Sequence, residues 1–370
     1  MISSINLKNF KCFEDTKFDL RRLTVLAGLN GMGKSTILQA LLLLRQSFLD
    51  GSLDSTGLSL NSSLIELGTA RDIFYQNAND EYISFTLKID DGREFVWSFL
   101  YNASADVLKY EKRRKALANY SKLALFSDKF DYLSAERIGP RRAYEISDYQ
   151  VRQHSQLGSQ GQYVAHFLHL YGAKVKVRKQ LCHMDSKSNA LSAQVESWLR
   201  EFRPDIRFNV DAHPSIDQME LTYSFISGEV PSQPIRSINT GFGLTYCLSV
   251  LTAILASKKG ALIILENPEA HIHPKGQSVI GELIARAASA GKQLIVETHS
   301  DHILNGIRIA VLKGILDHND VNIHFLSAEG DRIVINNPKI DRNGRIDHWP
   351  SDFFDEWEKS IEEFLKPPPK

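Results

Sequence analysis

Gly28-Leu29-Asn30-Gly31-Met32-Gly33-Lys34-Ser35 fits the phosphate-loop pattern G-x-x-x-x-G-K-[ST]. Its flanks agree with it. Leu23-Thr24-Val25-Leu26-Ala27 is a short apolar run with β-branched residues, as a buried strand needs. Ser35 to Leu44 is rich in Leu, Ala and Gln, as a helix needs. Strand, glycine turn and helix together place backbone N–H groups and a helix N-terminus around a phosphate. In that arrangement Lys34 reaches the β- and γ-phosphates, and the Ser35 hydroxyl binds Mg²⁺. The plainer reading is a glycine turn that merely starts a helix.

The second half of such a site would lie far downstream. Ala261-Leu262-Ile263-Ile264-Leu265-Glu266 is an apolar run ending in an acid. A buried strand that delivers a carboxylate at its C-terminal edge suits Mg²⁺ coordination opposite a phosphate loop. Asn267 to Pro274 follows, and Pro274 suits the first turn of a helix over Lys275 to Ala290. Lys292 to Glu297 is another buried-strand run, ending in Thr298-His299-Ser300. His299 is either structural or within reach of a γ-phosphate. Upstream, Asn239-Thr240-Gly241-Phe242-Gly243 precedes a helical run over Thr245 to Ala256. It is either a plain helix cap or a set of exposed N–H groups for an anion.

Composition narrows the class. The 370 residues suffice for one large or two ordinary domains. Acids and bases balance at 44 each, which argues against coating nucleic acid by bulk charge. Cys12, Cys182 and Cys247 show no C-x-x-C spacing, so neither a disulfide framework nor a zinc finger is expected. The apolar runs are too short to span a bilayer, and the N-terminus lacks a signal pattern. The expectation is a cytoplasmic protein with no membrane partner.

Between the two halves, Tyr82 to Lys88 and Glu94 to Tyr101 flank Asp90-Asp91-Gly92, a hairpin signal. Ser52 to Ser63 reads as a polar surface loop. Lys112 to Lys115 is a basic run, either a solvated face or a phosphate-backbone contact. Arg137, Arg141 and Arg142 cluster around Gly139-Pro140; they pair with acids locally, or face DNA or a partner. Tyr163 to Tyr171 and Leu191 to Phe202 look helical, and Arg207 to Val210 and Gln218 to Ile226 alternate as strands. Phe353, Phe354, Trp357 and Phe364 suggest an amphipathic C-terminal helix docked on its own head or on a partner. Pro367 to Pro369 would be a frayed tail.

In this order, the motifs resemble the ABC-type ATPase heads of the SMC, RecF and OLD-nuclease class. Ile5 to Phe13 is similar to that class's opening strand and adenine-side loop, which would put Asn9 and Phe10 near the base. Gly28 to Ser35 resembles its Walker A motif, and Asn239 to Gly243 its signature motif. Leu262 to Pro274 looks like its Walker B motif with an appended H-x-H-P, and Thr298-His299-Ser300 its switch histidine. More narrowly, the tail Trp349 to Asp355 is similar to short prokaryotic AAA-family ATPases with a small C-terminal domain of unknown function. Relatives of that kind include ATPase subunits of anti-phage defence modules such as the Septu type.

The resemblance implies an α/β fold: an ABC-type P-loop ATPase head with a mixed central sheet, a strand-rich lobe and a short helical insertion. The head would cover residues 1–345, with the insertion at about 140–205, and residues 346–370 would form a C-terminal helix and tail. ATP and Mg²⁺ are the implied cofactors. Asn30, Gly31, Gly33, Lys34, Ser35 and Thr36 would hold the nucleotide. Asn239, Gly241 and Gly243 would complete it from a second copy in a homodimer or higher homo-oligomer. Ser35 and Glu266 would hold the metal, and Glu266, Glu269 and His299 would be catalytic. A separate nuclease or toxin effector is the implied partner, with DNA contact the RecF-like alternative. The roughly seventy residues after His299 are too few for the nuclease domain of OLD proteins.

One departure stands out. The wider class carries two consecutive acids at the Walker B end, and here the pair is Glu266-Asn267. An amide is no general base at neutral pH. Glu266 then holds both roles, or Glu269 or Glu297 supplies the base, or turnover is slow.

Overall fold

The computed structural model describes residues 1–111, 120–227, 230–330 and 332–366. The basic run at 112–115 and the terminal prolines lie outside them.

The chain begins with an antiparallel pair, β1 (Ile2–Phe10) and β2 (Phe13–Asp19), and then enters β3 (Leu23–Gly28). The phosphate loop leads into α1 (Lys34–Leu49). The expected hairpin forms as β4 (Tyr82–Ile89) and β5 (Glu94–Leu100), turned by Gly92 at φ 86°. Next come β6 (Phe130–Leu133), helices α2 (Val164–Tyr171) and α3 (Leu191–Leu199), and the antiparallel strands β7 (Ile206–His213) and β8 (Gln218–Ser227). The remainder is α4 (Phe242–Ala256), β9 (Leu262–Glu266), α5 (Pro274–Ser289), β10 (Gln293–Glu297), α6 (Asp301–Leu312), β11 (Val321–Glu329), β12 (Arg332–Asn336) and α7 (Glu356–Phe364).

The central sheet is mixed, in the order β12-β11-β3-β10-β9-β6. Its inner pairings are parallel, and β12 returns antiparallel on β11. Its central strands β3, β10 and β9 are apolar on both faces, as parallel strands covered on both sides must be. Leu23, Val25 and Ala27 of β3 pack into the core under α4, α5 and α6. Leu26 turns the other way, into the core shared with α1 and the four-stranded sheet β2-β1-β4-β5. The phosphate loop therefore sits between two separate cores, at the C-terminal edge of a parallel sheet. Ligands of open α/β sheets bind at such an edge.

Two expectations change. Ser52 to Ser63 is not a free loop: it holds a short helix (Ser52–Ser55) and a strand (Gly57–Ser59) paired with Val107–Lys109. Leu53, Leu58 and Leu60, spaced among its serines, are buried and hold it down. The C-terminal apolar residues divide rather than dock together. Phe353 is fully buried, whereas Trp357 and Phe364 of α7 are 72% and 84% exposed. Among the described residues no helix is long and apolar enough to cross a membrane.

Candidate nucleotide site

Gly28 and Gly33 set the loop's path. Gly28 has φ 137°, and a Cβ there would meet the Leu326 carbonyl oxygen at 2.1 Å. Gly33 has φ 88° and caps α1, and a Cβ there would meet Cys12 Sγ at 2.6 Å. Only glycine fits either position without shifting a neighbour. Lys34 is buried, and its ammonium donates to the Gly28 and Leu29 carbonyls at 2.9 and 2.7 Å. Burial holds its pKa below the usual lysine value, partly offset by Glu297. Asn30 and Gly31 are exposed at the loop tip, and Thr36 is buried beside Cys12.

The carboxylate that meets the loop is Glu297. Ser35 Oγ donates to Glu297 Oε1 at 3.0 Å. The expected partner, Glu266, has both oxygens engaged elsewhere: Oε1 accepts from the Tyr132 hydroxyl at 3.0 Å, and Oε2 from the Ala135 N–H at 3.1 Å. The reason is strand order. β10 lies between β3 and β9, so the tip of β9 is two strand spacings from the loop, roughly 10 Å. Glu266 and Glu297 are register partners across β9 and β10. Burial, and next the charge of Glu266, push the Glu297 carboxyl up to about 7. Burial also raises Glu266, against the two hydrogen bonds it accepts.

His299 and Glu269 come together beside this pair. The His299 N–H donates to Glu269 Oε1 at 2.7 Å. Burial, and then the Lys34 charge, lower the His299 pKa, which favours the neutral imidazole. Asn267 sits in the left-handed region at φ 43°, and its N–H donates to the Glu297 carbonyl at 2.8 Å. Arg137, expected to pair with acids or face DNA or a partner, is buried and braces this turn. Its guanidinium donates to the Glu266 and Asn267 carbonyls at 2.7 and 2.6 Å. That role escapes sequence reading because Arg137 grips backbone, which has no residue signature.

The Asn239 to Gly243 segment packs against the turn that follows β9. Gly241 caps α4, and a Cβ on Gly243 would meet the His271 carbonyl oxygen at 2.6 Å. Asn239, Gly241 and Gly243 line neither of the two cavities beside the phosphate loop. Phe242, next to them, is exposed. His273 is the N-cap of α5, its Nδ1 accepting from the Lys275 N–H. Phe10, expected near the adenine, is fully buried edge-on to Phe85. The wide cavity on that side, about 1070 Å³, is lined instead by Asn9, Lys11, Tyr75 and Arg332 among others.

The residues fit a magnesium–triphosphate. Glu297 Oε2 is a buried acceptor that receives no hydrogen bond from the described residues, and it flanks the Ser35 hydroxyl. Hard oxygen donors of this kind suit Mg²⁺, which takes one or two protein groups and completes its shell with phosphates and water. Among the described residues no three His, Cys, Asp or Glu side chains gather into a cage of their own.

Residues 1–111 match a family described as an AAA ATPase domain. Residues 185–305 match one described as an AAA domain, putative AbiEii toxin, type IV TA system. Residues 316–364 match one described as a protein of unknown function (DUF3696). No curated protein matches the chain. Among solved structures, it is similar to an SMC head bound to the C-terminal winged-helix domain of ScpA. That match has 13% identity and a TM-score of 0.51, and covers 92% of this chain and 98% of the other. The Smc head of Pyrococcus furiosus with an extended coiled coil, bound to the C-terminal domain of ScpA, also has 13% identity. It covers 99% of both chains with a TM-score of 0.48. The fold is that of an ABC-type P-loop ATPase head.

Proposed function

We propose that the protein is an ATP-binding, slowly hydrolysing switch that dimerises around nucleotide and controls a separate nuclease or toxin in an anti-phage complex. The observation that carries the nucleotide part is Ser35 of the loop meeting Glu297, whose second oxygen is buried and unpaired, next to the buried ammonium of Lys34. Lys34 exchanges its two backbone acceptors for phosphate oxygens. The N–H groups of Gly31 to Ser35 donate to the same phosphates at the start of α1. Ser35 and Glu297 would hold Mg²⁺, which would supply positive charge against the phosphates. Neutral His299, held by Glu269, offers a hydrogen bond to the γ-phosphate.

Slow turnover suits the residues at the tip of β9. Asn267 accepts no proton, and both Glu266 oxygens already accept hydrogen bonds. A switch that stays ATP-loaded until triggered suits that chemistry. The separation of Asn239 to Gly243 from the chain's own loop suits completion of the site by a second copy. Closure is then a population shift toward the state in which ATP touches both copies. The matched description naming a toxin system and the resemblance of the tail support the defence setting. The DNA-clamping alternative loses one support, because Arg137 faces the protein interior.

Phosphate release by the purified protein tests the enzymatic part. The expected rate is Mg²⁺-dependent and well below the ~10 per second of a typical enzyme. Fast turnover by the isolated protein contradicts the switch. Purification of the native complex, with identification of its second subunit, tests the partner; an ATPase that purifies alone from cells contradicts it.

A further inference from the structure

A cavity of about 260 Å³ opens beside the phosphate loop. Leu29, Asn30 and His299 wall one side, and Asp352 and Asp355 from the C-terminal segment wall another. The segment is anchored there. Phe353 is fully buried, its ring 5.0 Å from that of Phe325. Phe325 is the register partner of Ala27, the residue before the loop's first glycine. Asp352 and Phe354 both take left-handed backbone, at φ 65° and 54°. That conformation is costly for residues with a Cβ and clusters where function over-determines the chain. It turns the chain on both sides of Phe353, which enters the core while Asp352, Phe354 and Asp355 line the cavity.

The charge is out of place for a polyanion site. Lys359 pairs with Asp352 at 2.5 Å and with Asp355 at 3.0 Å, so two carboxylates share one ammonium. The remaining negative charge stands beside a loop whose backbone N–H groups favour anions. We propose that Trp349–Asp355 is a built-in cap on the phosphate loop, whose carboxylates weaken the binding of a nucleoside triphosphate while the cap is seated. The inference rests on the reading of the loop as a nucleoside-triphosphate site. Seated cap and bound γ-phosphate disfavour each other, and by linkage the effect is reciprocal. Whatever draws the C-terminal segment away tightens ATP, and ATP loosens the segment. ADP, lacking the γ-phosphate, feels the cap less.

Equilibrium binding of Mg·ATP and Mg·ADP to the full chain tests this in three proteins: wild type, Asp352→Asn and Lys359→Ala. Asp355 is left in place because its carboxylate accepts the Asp352 N–H at 3.0 Å. Asp352→Asn is expected to tighten ATP about threefold and ADP by less, and Lys359→Ala to weaken ATP by a similar factor. Both differences shrink at about 0.5 M salt. A merely structural segment would loosen in either variant and move both affinities the same way, which overturns the cap. Unchanged affinities overturn it too; if Lys34→Ala meanwhile weakens ATP about 10- to 100-fold, the nucleotide reading still stands. A wild type that binds no ATP overturns that reading and the cap with it.

Discussion

At the scale of the residue, Glu297 is the most informative side chain. Its carboxyl is held near 7, mainly by burial and then by Glu266, well above the ordinary carboxylate range. An acid with a raised folded pKa destabilises the fold when ionised. Between about pH 4.5 and 7 the folded protein keeps a proton that the unfolded chain releases, so stability falls as pH rises through that window. Glu297→Gln removes the cost. It is expected to stabilise the nucleotide-free protein by roughly 1–3 kcal/mol at pH 8 and by little at pH 4.5. It is also expected to lose the Mg²⁺-dependent part of ATP binding. Calorimetric melting at the two pH values, with and without Mg·ATP, checks both; a lower melting temperature for the variant at pH 8 contradicts the argument. Lys34 and Ser35 were legible in the sequence because they are neighbours in one short motif. The Ser35–Glu297 pairing was not, because Glu266 and Glu297 end similar strands and only the order of strands in the sheet decides which reaches the loop.

Elements were legible where a local pattern is strong and illegible where burial comes from distant partners. The hairpin at Asp90 to Gly92 and the helix after Pro274 follow from turn and cap chemistry. The Ser52 to Ser63 stretch reads as loop because three buried leucines are diluted among serines and no period marks them. The C-terminal helix shows the converse: apolar spacing marks a face, but not whether the chain's own head covers it. Phe353 and Trp357 therefore separate in their expected effects. Phe353→Ala should cost about 3–5 kcal/mol, as truncation of a fully buried phenylalanine does. Trp357→Ala should stay within about 0.5 kcal/mol, as exposed positions do. Denaturant unfolding of the two variants measures this, and a Trp357→Ala loss as large as that of Phe353→Ala would put α7 against the head.

At the scale of the whole molecule, the sheet divides the chain into two cores and leaves the phosphate loop on the edge between them. The fold class was legible because the motifs of an ABC-type head occur in a fixed order. Whether two such molecules meet around nucleotide is not written in one chain. Asn239, Gly241 and Gly243 sit away from the cavities at the chain's own loop. If they act on a twin molecule, ATP should drive self-association, and Asn239→Ala should weaken that association about tenfold while leaving ATP binding by the monomer within about twofold. Sedimentation with and without Mg·ATP reads both states; association that ignores ATP, or a variant that associates as the wild type does, argues against a shared site.

The convergence of Lys34, Ser35 and Glu297 on one triphosphate is tested most directly by titrating ATP into the wild type and Lys34→Ala by calorimetry, with and without Mg²⁺. Loss of the charge-assisted bonds of Lys34 is expected to weaken ATP by about 10- to 100-fold, with wild-type binding tighter when Mg²⁺ is present. Wild-type ATP binding that survives unchanged in Lys34→Ala and is indifferent to Mg²⁺ would place the nucleotide somewhere else on the molecule.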